Sequence, residues 1–146
     1  MTIHSYSKLE IATQQLDTAL MLYFEDKNYF SVITLAGAAE EILAVYLKLH
    51  KQPNAFEEML DSSLLIGELL YNSKGSRDSM YKTINRVKNG SKHMKGRDDI
   101  NIQCNLKEEA QNILDRAVSN FYTLMTFENL NETSLMKKFN SQLVSK

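Results

Sequence analysis

The chain has 146 residues, 43% of them hydrophobic, with one proline, five glycines and one cysteine. That composition excludes collagen-like, low-complexity and disordered classes and fits a single domain over residues 1–146, with no room for a second. The net charge of −1 conceals a strong asymmetry: residues 74–97 carry eight Lys and Arg against one acid, a balance of +7, whereas residues 1–73 stand at −6 and residues 98–146 at −2.

Leu9, Ala12, Leu16, Ala19, Leu20 and Tyr23 recur at steps of three and four, so residues 7–25 predict an amphipathic helix. After the polar break at residues 25–28, residues 29–50 are apolar around most of a helical circumference. Such a helix belongs at the centre of a bundle, or buries one face in the core and another against a second subunit. Ala36, Gly37, Ala38 and Ala39 permit close backbone approach, and of the interrupting Glu40 and Glu41 one or both are expected to face solvent. Pro53 forbids continuation, ending this helix near His50.

Residues 55–72 predict one helix or two short ones, the second capped at Asp61 to Ser63. A turn at residues 72–75 leads to a helix over 76–89, capped by Ser76 or Asp78, that offers Met80, Tyr81, Ile84 and Val87 to the core. Asn89–Gly90 either ends this helix or is absorbed into it at about 1 kcal/mol for the glycine. Residues 94–105 read as a loop, 106–128 as a long helix and 133–146 as a short final one. With no β alternation and no repeat, the expected fold is an all-α, up-and-down bundle of about five or six helices.

The amino terminus has no basic region followed by an apolar run, and Glu40, Glu41 and Lys48 interrupt the most apolar stretch. A cytoplasmic protein without membrane association is expected. Cys104 has no partner for a disulfide, no metal-ligand spacing is present, and phosphate-loop, dinucleotide and nucleophile-elbow signatures are absent, so neither metal nor cofactor is expected. His4 sits near the terminus and His50 at a helix end, where a cationic side chain suits the dipole.

His93 keeps different company. Arg86 lies seven residues before it and Asn89 four, so on a continuous helix all three share a face within the only strongly basic segment. An imidazole transfers protons near neutrality and a guanidinium clamps phosphate with two parallel hydrogen bonds, which are the two parts needed to cleave RNA without a metal ion. The base takes the proton of a 2′-hydroxyl, the alkoxide attacks phosphorus, and the cation stabilises the phosphoryl oxygens. Lys82, Lys88, Lys92, Lys95 and Arg97 are the accompanying candidates for nucleic-acid contact.

Arg86 and His93 with six residues between them, and Asn89, Lys92 and His93 as N-x-x-K-H before a Lys-Gly-Arg-Asp-Asp run, resemble the motif region of HEPN domains. Residues 22–43 are similar to the second-helix region of HEPN-like bacterial proteins. The two matches cover about a quarter of the chain. The resemblance implies a homodimeric helical bundle that binds RNA or a nucleotide, metal-independent endoribonuclease activity, toxin, defence or RNA-processing roles, and for toxins a cognate antitoxin protein. Members with degenerate motifs serve as non-catalytic binding or scaffold modules. Lys88 stands where the family motif places Arg directly before the polar Asn, so either Arg86 or Lys88 is the phosphate contact.

Overall fold

The computed structural model describes residues 1–73 and 75–144, and among them it is all-helical. Lys74 of the basic segment and residues 145–146 of the expected final helix lie outside the described residues. The helices are α1 (Lys8–Phe24), α2 (Tyr29–Leu49), α3 (Ala55–Tyr71), α4 (Arg77–Ile84), α5 (Arg86–Gly90), α6 (Leu106–Leu124) and α7 (Ser134–Val144).

α1, α2 and α6 form the core, with α2 packed along both of the others. Leu16 and Leu20 of α1, Val32, Ile33, Leu43 and Leu47 of α2, and Leu114, Phe121 and Leu124 of α6 are fully buried. Met136 and Phe139 of α7 close one end of this core. α2 is long and apolar enough to cross a membrane despite its three charges, a test that a core helix also passes, and eight of its residues are buried in the bundle. The α1–α2 turn is sharp because Asp26 and Asn28 both adopt left-handed backbone, which short polar side chains tolerate.

α3 is a single helix, capped at its start by Asn54, whose Oδ1 accepts from Glu57 N at 2.9 Å. Only Phe56 and Leu60 of α3 are buried. Its second half leaves Leu65, Ile66, Leu69, Leu70 and Tyr71 exposed.

The helix expected over residues 76–89 is divided at Asn85, which raises the number of helices to seven among the described residues. Ser76 rather than Asp78 caps α4, its hydroxyl accepting from Ser79 N at 3.2 Å. The Asn85 amide donates to the Tyr81 carbonyl at 3.1 Å, competing with regular helical bonding at that turn, and its backbone sits at φ −88, ψ 3. α4 lies at the bundle edge and buries none of its residues. Of the four side chains expected in the core here, Val87 is buried at 2%, while Tyr81 is 49% exposed and rests edge-on against Phe56 at 5.2 Å.

Candidate nucleic-acid interface

α5 ends at Gly90, yet helical hydrogen bonding persists: Ser91 N donates to Val87 O at 2.9 Å and His93 N to Asn89 O at 3.2 Å. Gly90 therefore belongs to the last helical turn, and its lack of a side chain serves packing. A Cβ there would stand 2.7 Å from Ile102 Cδ1, so any other residue would have to displace the end of the Ile102 side chain that lies against α5. The segment around Ile102 holds the arginine, because Arg86 Nη2 donates to the Gln103 carbonyl at 2.7 Å.

The result is a cleft of about 510 Å³ between α4, α5 and the following loop. Arg86, Asn89 and His93 all line it, together with Lys82 and Lys95. Lys82 pairs with Asp78 one turn back at 3.2 Å, and Lys95 N donates to Asp99 Oδ2 at 2.9 Å, which folds the loop onto the cleft. His93 is exposed and makes no side-chain hydrogen bond or ion pair among the described residues. Three basic side chains around one acid, Asp99, give this concavity a net positive field.

Lys88 is elsewhere. Its side chain, 8% exposed, turns inward and places Nζ 2.8 Å from Glu41 Oε1. A cation enclosed in this way is not presented to a phosphate, so of the two candidates Arg86 is the one in the cleft. Lys92 and Arg97 are exposed but do not line the cleft, and Lys92 acts electrostatically on Glu41 instead. Among the described residues no three His, Cys, Asp or Glu are grouped to hold a metal ion.

A second polar group, unforeseen from the sequence, joins α2 to α6. Arg116 Nε donates to Glu40 Oε2 at 2.7 Å, and both side chains are buried. Beside them, Glu40, Glu41, Asn85, Lys88, Phe56 and Tyr81 line a cavity of about 190 Å³. Burial raises the Glu40 carboxyl above its usual range against the pull of Arg116. For Glu41, burial also favours the neutral form, but the hydrogen bond and charge of Lys88 prevail and hold it below the usual range. Asn85 Oδ1 and Asn120 Nδ2 are buried without a hydrogen-bond partner among the described residues. The available signal is positional: Arg116 and Asn120 fall on the stripe of α6 that Ile113, Ala117 and Phe121 otherwise make apolar.

Comparison with protein-family models, with curated proteins and with solved structures gives no match.

Proposed function

We propose that the chain is a HEPN-like RNA- or nucleotide-binding protein with metal-independent endoribonuclease chemistry, of toxin, defence or RNA-processing type. The observation that carries this reading is the convergence of Arg86, Asn89 and His93 with Lys82 and Lys95 on one basic cleft. Arg86 keeps N–H donors beyond the one given to Gln103, enough to contact a phosphoryl oxygen. His93, as general base or acid, takes the 2′-hydroxyl proton or gives one to the 5′-oxygen that leaves as the P–O5′ bond breaks and a 2′,3′-cyclic phosphate forms, and Asn89 orients His93 or the strand. The protein acts as a cytoplasmic homodimer, a role for which exposed Val45 and Leu49 on α2 provide apolar surface, and a cognate antitoxin is a further partner.

The test is cleavage of labelled single-stranded RNA in chelator. His93→Ala is expected to abolish cleavage while binding persists; cleavage by that variant, or strict dependence on magnesium, would defeat the mechanism. A second reading, a non-catalytic dimeric interaction module with a degenerate motif, is favoured by the enclosure of Lys88 against Glu41. It predicts salt-dependent RNA binding with no cleavage by the unmodified protein.

A further inference from the structure

Neighbouring residues of α4 and α5 divide between the two concavities: Tyr81, Asn85 and Lys88 line the polar cavity, and Lys82, Arg86 and Asn89 line the basic cleft. Each step of one residue turns the helix by about 100°, so this stretch is a ridge with a recess on each side. We propose that the polar cavity takes one unstacked nucleobase of the strand held in the cleft, and that it selects guanine. The inference rests on the RNA reading above and adds a base-specific subsite to it.

Size and walls set the ligand class. About 190 Å³ corresponds to about six waters at ~30 Å³ each, room for one planar ring system and too little for the ligands that fill ordinary pockets of ~300–1,000 Å³. Tyr81, half-exposed and held edge-on against the buried Phe56, supplies an aromatic surface of the kind against which proteins stack single-stranded bases. The polar lining is rich in acceptors, the carboxylates of Glu40 and Glu41, with the ammonium of Lys88 as a donor beside them. Asn85 is 2% exposed and its Oδ1 has no partner among the described residues, a state that native interiors seldom leave uncompensated.

Guanine matches that lining. Its Watson–Crick edge carries two adjacent donors, N1–H and N2–H, next to the O6 acceptor. Uracil offers one donor between two acceptors, and adenine and cytosine an amino group beside a ring acceptor. Glu41 is 58% exposed at the mouth of this recess, so the carboxylate oxygen not bonded to Lys88 is open to a ligand.

The experiment is fluorescence anisotropy with three short labelled RNAs, one of uridine only, one with a single central guanosine and one with a single central adenosine. Proteins compared are the unmodified chain, Ala44→Leu, which fills the cavity from α2, and Tyr81→Ala, which removes a half-exposed wall. Helicity is checked by circular dichroism. The guanosine strand should bind the unmodified protein about tenfold more tightly than either other strand, the size of one good two-hydrogen-bond contact to a base edge. Both variants should lose that gain while holding the uridine strand within about twofold. Equal binding of all three strands, or a gain that survives in a folded variant, overturns the guanine pocket and leaves the RNA reading standing. Should Ala44→Leu not fold, Tyr81→Ala decides. Binding of none of the strands at physiological salt overturns both.

Discussion

Lys88 reaches Glu41 across a gap that exists because residue 37 is glycine. Its Nζ lies 2.8 Å from Glu41 Oε1, and a Cβ added to Gly37 would stand 2.8 Å from Lys88 Cδ and 3.1 Å from Ile113 Cδ1. The stem of the lysine thus occupies the space of the missing side chain, and its charge is neutralised one helical turn further along α2.

Gly37→Ala is therefore expected to destabilise. Alanine gains up to about 1 kcal/mol of helix propensity, but overpacking costs about 1–3 kcal/mol, leaving a net loss of about 1 kcal/mol in urea denaturation. In a Lys88→Ala background only the 3.1 Å contact with Ile113 Cδ1 remains, and the same substitution should cost less. A loss of equal size in both backgrounds would contradict this packing account.

The Glu40–Arg116 pair makes a second case. Glu40→Ala strands a buried guanidinium and should cost about 3–5 kcal/mol, whereas the double replacement Glu40→Met with Arg116→Leu should recover most of that loss. Denaturant midpoints of the single and double variants measure the coupling. Strict additivity would show that the two groups do not interact.

Adjacent carboxylates should respond to pH with opposite sign. Glu41 is held below 4.5 in the folded state, so its contribution is present above pH 4.5 and is lost as pH falls through its folded value. Glu40 is raised above 4.5, so its contribution is present below pH 4.5 and is lost as pH rises through its folded value. The stability gap between the unmodified protein and Glu41→Gln should widen as pH rises from acid to neutral. Over the same range Glu40→Gln should gain on the unmodified protein. Thermal melts at acid and neutral pH check both directions.

Gly90→Ala should loosen the segment that holds Arg86, because the new methyl group meets Ile102. Weaker RNA binding with unchanged helicity is expected, by about tenfold if the Arg86–Gln103 bond is lost. Adding Ile102→Ala relieves the contact and should restore affinity. Failure of that rescue would separate Gly90 from the cleft.

On the proposed RNA reading, Arg86→Ala removes a phosphate contact without touching the core. Affinity for RNA should fall uniformly across sequences, and the slope of log affinity against log salt should shrink by about 0.7, the value for one contact to a single strand. An unchanged slope would remove Arg86 from the interface.

The bundle is legible in the sequence wherever one apolar stripe decides the outcome, as in α1, α2 and α6 with Leu16, Leu43 and Phe121 at their centres. Arg86, Asn89 and His93 are legible together because helical hydrogen bonding carries through Gly90 to His93. The break at Asn85 is not, since it comes from a side chain bonding its own helix at Tyr81. Nor is the inward turn of Lys88, which depends on a glycine about fifty residues earlier in the chain and on an acid one turn beyond it. The polar cavity escapes for the same reason: its residues come from α2, α3, α4 and α5, and no local spacing joins them.

The ridge formed by α4 and α5 also sets which changes in length this chain can absorb. Inserting or deleting one residue between positions 77 and 85 would rotate everything beyond it by about 100°, moving Tyr81, Lys82 or their neighbours from one recess toward the other. Asn72, Ser73 and Gly75, ahead of the Ser76 cap, sit outside that phase relationship. Indels there should be tolerated where a single-residue indel a few positions later is not, so this short stretch behaves like a reading frame written in side-chain direction.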